Sequence, residues 1–192
     1  MIELREFTMD DAPALQRIYS GVSLRYIERR ELTSGEAVAL VANTLTDARS
    51  EPRDRWAFGI TADGDLLGMV RLRCRTERHA TLSYLLREDS WGCGYATQAV
   101  ACMLRHAFTA TKVTSVGARH HPDNPASGRV LLKNGFRYRG IRDGCPSYDI
   151  HRPGVAISLL AGLGYVGAWV REDVVARMPG RRQRLHYEIK VG

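Results

Sequence analysis

Seven residues, Trp91-Gly92-Cys93-Gly94-Tyr95-Ala96-Thr97, have the composition of an anion-binding turn. Two glycines one residue apart leave main-chain N–H groups uncovered, and the apolar periodicity that follows predicts that a helix begins there. The first N–H groups of a helix have no intrahelical partner, and the helix dipole places partial positive charge at the same end. This segment, here called the glycine turn, therefore predicts a binding site for phosphate groups.

Two common phosphate-binding motifs do not fit this chain. No G-x-x-x-x-G-K-[ST] occurs, which excludes a P-loop. A dinucleotide fingerprint is excluded as well, because the preceding strand lies far from the start of the chain and no third glycine follows at the required place. The phosphate prediction therefore depends on the open end of the helix alone.

Strand and helix patterns alternate on both sides of the glycine turn. Strands are predicted at Ile2–Phe7, Trp56–Ile60, Leu66–Arg73, Ala80–Leu86, Val113–Arg119, Phe136–Ile141 and Arg184–Lys190. Helices are predicted from Thr8 or Asp10 to Ser20, at Ser34–Ala48 opened by Ser34, at 95–109, at Pro125–Asn134 capped by Asn124, and at Trp169–Met178. The glycine turn therefore joins a strand to a long amphipathic helix.

Residues 143–183 interrupt this alternation. They lie between two predicted strands, mix Gly and Pro with an apolar stretch, and are long for a hairpin connection. We expect an insertion that serves as a lid over a substrate, as a contact in a homodimer, or as an extra helical layer. The sequence does not choose among the three.

Length and composition predict one globular domain spanning residues 1–192. The chain has 192 residues, 44% of them hydrophobic and 26% charged, which is typical of soluble proteins with a sizeable core. No apolar run has the length of a membrane span, because glycines interrupt the closest one at 155–170. The first residues read as a strand, with no basic-then-apolar leader, so we expect a cytoplasmic protein that does not contact membranes.

Charge and metal-ligand patterns limit the kinds of partner and cofactor that we expect this chain to bind. The net charge of +7 is compatible with an anionic ligand or with nucleic acid, but the basic residues are dispersed, which disfavours nucleic acid as a partner. The six histidines and four cysteines show neither C-x-x-C nor any other metal-ligand spacing, so no metal is expected.

Three motifs, taken in order, resemble a known family. W-G-x-G-Y-A-T at 91–97, N-P-A-S at 124–127 and V-L-L-K-N-G-F at 130–136 resemble the acyl-CoA-binding core of the GNAT acetyltransferases, and in particular their ribosomal-protein N-terminal branch. The resemblance covers residues 2–142 and the last strand. It implies an α/β (α+β) fold: a mixed, mainly antiparallel sheet of about seven strands, with helices on both faces and a splay between the fourth and fifth strands.

The same resemblance implies a site for acetyl-CoA as co-substrate. The cofactor-binding residues it implies are Tyr84, Leu85 and Leu86 for the pantetheine arm, Gly92, Cys93, Gly94, Tyr95, Ala96 and Thr97 for the pyrophosphate, and Asn124 and Ser127 beyond them. Two positions depart from the family pattern. Asp89 stands where Gln or Arg is usual, and Cys93 stands where the branch often has a basic residue. Both departures weaken the positive charge around the turn without removing its amides.

Acetyl transfer to an amine needs a proton for the departing thiolate, and the acid here is not the usual one. Many members place a tyrosine five residues before the motif's last phenylalanine, where this chain has Leu131. In the ribosomal-protein branch the serine of N-x-x-S has that role, which implies Ser127 as the acid. Ser127 could equally do no more than satisfy the first turn of a short helix.

The base is less determined by sequence. The strand at 80–86 has no carboxylate, and Pro146 stands near the position where the branch carries a glutamate, flanked by Asp143 and Asp149. His120, at the end of the fifth predicted strand, is the candidate whose side-chain type titrates near neutral pH. A water relay to bulk solvent is the alternative.

The function implied is acetyl-CoA-dependent N-acetylation of a primary amine by direct transfer. We expect a small-molecule acceptor, such as an antibiotic or another natural product, because the segment at 143–183 would restrict access of a protein. The alternatives are a protein N-terminus as acceptor, or a non-catalytic acyl-CoA-binding module, which the missing tyrosine and carboxylate would favour.

Overall fold

A computed structural model describes residues 1–153 and 189–190 of the chain. Its strands are β1 (Glu3–Arg5), β2 (Arg55–Ala62), β3 (Asp65–Cys74), β4 (His79–Leu86), β5 (Ser115–Arg119), β6 (Arg137–Arg142), β7 (Cys145–His151) and β8 (Ile189–Lys190). Its helices are α1 (Ala12–Ile18), α2 (Ser34–Ala48), α3 (Tyr95–Ala110) and α4 (Pro125–Lys133), with a short 3₁₀ turn at Met9–Asp11 before α1. None of the helices in this described part is both long and apolar enough to cross a bilayer.

The strands form one sheet in the order β6-β7-β5-β4-β3-β2-β1-β8. Neighbours pair antiparallel except at two places, where β4 lies parallel to β5 and β8 lies parallel to β1. The predicted fold class, a mixed and mainly antiparallel sheet with helices on both faces, is confirmed.

One element of the sheet was assigned wrongly from the sequence. Residues 145–151, predicted to belong to the insertion at 143–183, form β7, which pairs with both β5 and β6. The strand that follows β6 in the chain is therefore β7. Of the predicted closing strand Arg184–Lys190, the described residues Ile189–Lys190 form β8 beside β1. The predicted helix Trp169–Met178 lies outside the described residues.

Local chemistry explains where the elements begin. Thr33, rather than the predicted Ser34, caps α2: its hydroxyl accepts from the amide of Glu36, whose carboxylate accepts from the amide of Thr33. The β2–β3 hairpin turns at Asp63 and Gly64, whose φ angles of 51° and 83° match the turn that Asp-Gly favours. The capping residue lies one position earlier than predicted because the hydroxyl must precede the first helical turn.

The sheet separates two apolar clusters. On one face, α3 and α4 pack against alternate strand residues such as Leu72, Leu82 and Val116. On the other face, α1 and α2 pack against Met69 and Leu66, so this second cluster covers only the β1–β4 half of the sheet. The face of β5, β7 and β6 opposite α3 carries polar side chains instead, which matters for the site below.

One side chain in the core of α3 is titratable and has no hydrogen-bond partner at a buried nitrogen. His106 packs edge-on against Trp56 and Phe58, and no group in the described residues bonds its Nε2. Burial lowers the pKa of His106 from 6.5 to about 4, with a smaller contribution from the charge of Arg53. The imidazole is therefore neutral in the folded protein at neutral pH.

We expect His106 to make folding stability depend on pH. The unfolded chain takes up a proton at His106 more readily, so the free energy of unfolding falls as pH drops from 6.5 towards 4, by at most about 3 kcal/mol. A His106→Leu variant should lack this part of the slope in urea titrations at pH 7, 5.5 and 4.5. Equal slopes in the variant and the parent protein would contradict the assignment.

Candidate functional site

The β4–β5 pair separates before either strand ends. The two strands are in register at only three positions, His79–Ser115, Ala80–Val116 and Thr81–Gly117. Beyond Thr81, β4 continues to Leu86 beside β3, while β5 continues to Arg119 beside β7. The resulting opening, here called the gap, lies at the carboxyl ends of both strands and directly before the glycine turn.

Alternation along β4 decides which main-chain groups face the gap. Arg87 donates its N–H to Leu67 on the β3 side, whereas the carbonyl of Arg78 accepts from Thr114 on the β5 side. Because successive residues of a strand alternate, Tyr84 directs its N–H and C=O away from β3 and into the gap. The polar main-chain groups of Leu85 face β3 instead, so a ligand in the gap would contact Leu85 only through its side chain.

The carbonyl of Leu86 already has a donor. The indole Nε1 of Trp91 donates to it over 3.0 Å, which folds the start of the glycine turn back against the end of β4. Tyr84 is thus the residue of β4 best placed to form main-chain hydrogen bonds with a ligand lying in the gap.

The glycine turn presents an open helix end. Gly92 and Gly94 have φ angles of 78° and 79°, values that side-chain-bearing residues rarely adopt. Gly94 is the capping residue of α3, no side chain caps the helix, and a Cβ built on either glycine would meet nothing within 4 Å. The first amides of a sixteen-residue helix therefore face open space, which fits a phosphate group.

Asp89 is engaged by neighbouring side chains at this turn. Its carboxylate accepts from Nε of Arg87 over 2.7 Å and from the hydroxyl of Ser90 over 3.0 Å. The bond from Arg87 holds the pKa of Asp89 below its usual range, and the same guanidinium also pairs with Asp65 over 2.7 Å. Cys93 is exposed and its thiol donates only a long contact to the carbonyl of Trp91.

Asn124 and Ser127 lie across the gap from the glycine turn, at the start of α4. The side-chain oxygen of Asn124 accepts from the amide of Ser127 over 3.1 Å, which confirms Asn124 as the helix cap. The hydroxyl of Tyr84 lies 2.7 Å from Oγ of Ser127 and 3.0 Å from its carbonyl oxygen. Burial raises the pKa of Tyr84 to about 12, so the phenol keeps its proton at neutral pH.

His120 lies beside this pair rather than on the end of a strand. It follows β5, its Nδ1 donates to the carbonyl of His121 over 2.7 Å, and its Nε2 lies 3.2 Å from the hydroxyl of Tyr148. A Cβ at Gly128 would come within 2.7 Å of Nε2 of His120 and 3.1 Å of the hydroxyl of Tyr148. The glycine after Ser127 thus leaves the space in which His120 and Tyr148 meet.

The two predicted acids near Pro146 are engaged elsewhere. Asp143 pairs with Arg119 over 2.6 Å in the β6–β7 turn, and Asp149 pairs with Arg139 over 2.8 Å. Neither contacts Ser127 or His120 among the hydrogen bonds of the described residues. Of the bases considered from the sequence, His120 is the one that the fold brings to the gap.

Sequence reasoning missed three residues of the site. Tyr148 belongs to β7, the strand that was assigned to the insertion. Asn134 is buried and donates from Nδ2 to the carbonyls of Thr97 and Val130, which ties the end of α4 to the first turn of α3. In the sequence, the only feature that pointed to Asn134 was the Asn134-Gly135 pair at the end of α4.

The third missed residue is Tyr26, in the loop between α1 and α2. Its ring lies 6.4 Å from that of Trp91, which follows β4, and 5.9 Å from that of His121, which follows β5. Tyr26 therefore spans the open end of the gap. Nothing in the periodicity of the sequence indicates this contact, because it joins three loops.

A family model described as an acetyltransferase (GNAT) domain matches residues 2–137. The chain belongs to the GNAT acetyltransferase family. It is an acetyl-CoA-dependent N-acetyltransferase, and the sequence prediction of the family and of its enzymatic class is confirmed.

Three relatives illustrate the likeness. YoaA, an uncharacterized N-acetyltransferase of Bacillus subtilis (strain 168), is 28% identical over 142 residues, which cover 72% of this chain and 80% of YoaA. RimL, a ribosomal L7/L12 alpha-N-protein acetyltransferase solved in complex with coenzyme A, has a TM-score of 0.69 at 17% identity and covers 78% of this chain and 93% of its own. MccE, a microcin C7 self-immunity acetyltransferase solved with acetyl-CoA and AMP, has a TM-score of 0.68 at 16% identity, over 79% and 92%.

These neighbours agree on the co-substrate and differ in the acceptor that their names indicate. The match to the GNAT acetyltransferase domain confirms acetyl-CoA as co-substrate of this enzyme, and RimL and MccE were themselves solved with coenzyme A and acetyl-CoA respectively. One name refers to a ribosomal protein and the other to immunity against a microcin. At identities below one fifth, the two structures show the fold and leave the acceptor open.

We predict that Gly94→Ala weakens coenzyme A binding about tenfold or more. The added Cβ strains a left-handed position and tilts the first amides of α3, on which an anion would depend. Gly64→Ala is the matched control, because Gly64 has a φ of 83° and equal free space but lies in the β2–β3 turn.

Calorimetric titration with coenzyme A and thermal melting would be measured on both variants. We expect similar losses of stability in the two and a loss of affinity in Gly94→Ala alone. Equal affinities in the two variants would show that the end of α3 does not hold the phosphates.

Proposed function

We propose that this GNAT enzyme acetylates a primary amine on a small molecule by direct transfer, with the reaction centred in the gap. The observation that carries the proposal is the convergence at one edge of the sheet of an uncapped helix end, an unpaired stretch of β4 and two polar pairs, Tyr84–Ser127 and His120–Tyr148. No single one of these features would indicate a transferase, but together they supply each requirement of the reaction.

The amides of Gly92–Thr97 are proposed to bind the pyrophosphate of acetyl-CoA, with Asn124 holding the facing end of α4. The main chain of Tyr84, with Leu85 and Leu86 beside it, is proposed to bind the pantetheine arm within the gap. The thioester that acetyl-CoA supplies is the electrophile of the reaction. Asn134 supports this arrangement because it fixes the first turn of α3 against α4.

Ser127 is proposed as the acid that protonates the leaving thiolate. Tyr84 supports the role, since its protonated hydroxyl can donate to Oγ of Ser127 and leave the serine proton free to move. A proton lost from Oγ would then be replaced from Tyr84 along the 2.7 Å contact. In the family, a tyrosine on α4 has this role, and this chain has Leu131 at that position. Tyr84 would supply the phenol from β4 instead.

His120 is proposed as the base that removes a proton from the acceptor amine. Its Nδ1 donates to the carbonyl of His121, which leaves Nε2 as the accepting nitrogen of the neutral ring. Tyr148 is proposed to hold the ring, because its buried hydroxyl contacts the same Nε2 and burial raises the pKa of Tyr148. The separate positions of Ser127 and His120 let one group donate while the other accepts.

A small-molecule acceptor is favoured by the space available. A groove of about 790 Å³ on the face opposite α3 extends to Ser83 and Arg119 beside the gap, and its volume lies in the range of small-ligand sites. A protein N-terminus, as the name of RimL suggests for that enzyme, is the second candidate acceptor. A cytoplasmic location, a homodimer and the absence of a nucleic-acid partner remain predictions from the sequence.

We predict that incubation with labelled acetyl-CoA transfers label to small amines and not to peptide N-termini. The panel would contain primary amines of varied structure and peptides with the N-terminal sequences of ribosomal proteins. Label found on the peptides alone would overturn the small-molecule assignment, and label on no acceptor despite coenzyme A binding would overturn the proposed chemistry.

Variants tested on the best acceptor would check the assigned roles. Ser127→Ala and His120→Gln should each lower kcat about a hundredfold with coenzyme A affinity within about threefold, since general acids and bases contribute on that order. Ser115→Ala, which removes a serine hydroxyl bonded to His79 away from the gap, is the matched control.

A further inference from the structure

The groove on the face opposite α3 is strongly basic. Its lining includes seven arginines and three aspartates, a surplus of four positive charges. The arginines are Arg55, Arg71, Arg73, Arg75, Arg119, Arg139 and Arg142. A cleft lined by one sign of charge attracts ligands of the opposite sign.

Internal ion pairs account for only part of this charge. Asp47 pairs with Arg55, Asp143 with Arg119 and Asp149 with Arg139, so each acid of the groove is already engaged by one arginine. The remaining four arginines, at 71, 73, 75 and 142, form no ion pair with a carboxylate of the described residues. The surplus is therefore carried by groups available to a ligand.

One of the four is held in place. Arg71 donates to the hydroxyl of Tyr19 over 2.6 Å, and that hydroxyl lies 3.2 Å from the sulfur of Met69 in the buried cluster under α1 and α2. Tyr19 is itself buried. It fixes the guanidinium of Arg71 without neutralising its charge, which is the arrangement expected of a group that binds an anion.

The sheet register places Arg71 and Arg73 at one side of a polar floor. Arg73 lies beside Thr81, Thr81 beside Gly117, and Gly117 beside Asp149. In the next row Arg71 lies beside Ser83. Neighbouring strands are about 4.8 Å apart, so a ligand on the small residues of β4 and β5 would be within reach of Arg71 and Arg73.

The groove ends at the gap. Ser83 of β4 and Arg119 of β5 line it beyond the last paired residues, Thr81 and Gly117, and His120 follows Arg119. A molecule bound along the floor could thus extend its amine through the gap towards His120 and keep an acidic group at the arginines. The guanidinium fork binds carboxylate and phosphate with two parallel hydrogen bonds, which neutral groups cannot match.

We propose that the acceptor is a small primary amine that also carries a carboxylate or phosphate group, bound by Arg71 and Arg73. The substrate class rests on the proposed function, since it assumes that the groove holds the acceptor. Binding of an anion in the groove does not depend on catalysis and can be measured by itself.

The kinetic test uses pairs of amines that differ in one acidic group: tyrosine with tyramine, 4-aminobutyrate with butylamine, and O-phosphoethanolamine with ethanolamine. The acidic member of at least one pair should have the higher kcat/KM, by about tenfold or more, and this advantage should shrink with added salt. Comparison of the carboxylate pairs with the phosphate pair identifies the preferred group. Equal kcat/KM within every pair, or preference for the neutral members, would overturn the proposal.

Arg71→Gln and Arg73→Gln should raise KM for the acidic acceptor about tenfold and so abolish its advantage over the neutral acceptor. Arg17→Gln, on α1 and outside the groove lining, is the control for the same loss of net charge. If Arg17→Gln had the same effect as the groove variants, the preference would come from overall charge and the site would be refuted.

The binding test separates this inference from the proposed function. Inorganic phosphate and succinate would be titrated by calorimetry into protein saturated with coenzyme A, so that the glycine turn is filled. Binding of either anion that is lost in Arg73→Gln and kept in Arg17→Gln supports the groove even if no amine is acetylated. Acetylation of neutral amines without binding of either anion would leave the proposed function intact and overturn the inference.

Discussion

The separation of β4 from β5 is the constraint on which the rest of the structure depends. Pairing ends at Thr81 and Gly117 although each strand continues beside its other neighbour. Unpaired main-chain groups inside a sheet are costly unless a partner satisfies them. Tyr84 therefore contributes an edge that a bound chain-like molecule can complete, and the gap is where we propose that the pantetheine arm binds.

Two side-chain contacts join the elements around the gap. Tyr84 extends from β4 to Ser127 of α4, and Tyr148 of β7 meets His120 after β5. Gly128 lets these pairs lie next to each other, since a side chain there would enter the space of His120. The helices α3 and α4 lie on one face of the sheet and the arginine-lined groove opens on the other, so the sites that we propose for acetyl-CoA and for the acceptor meet at the gap.

What the sequence predicted well depends on local physics. The open start of α3 and the Asn124 cap of α4 follow from glycine conformation and from side-chain hydrogen bonds within a few residues, so both could be read directly. The Tyr84–Ser127 and His120–Tyr148 contacts join residues 43 and 28 positions apart, and no short pattern encodes them. The sequence did not predict β7 because Gly144 and Pro146 are typical of loops. The pair Asp143-Gly144 is nevertheless the same turn signal that identified the hairpin at Asp63-Gly64.

Hydrogen–deuterium exchange of the full chain with and without coenzyme A tests the central claim most directly. Slowed exchange upon addition of coenzyme A is predicted at the amide of Tyr84 and at the first amides of α3, residues 94–97, with the β3-facing amide of Leu85 slow in both states. If coenzyme A bound tightly and protected amides elsewhere while Tyr84 and the start of α3 exchanged as before, the gap would not be the cofactor site and the account would be contradicted.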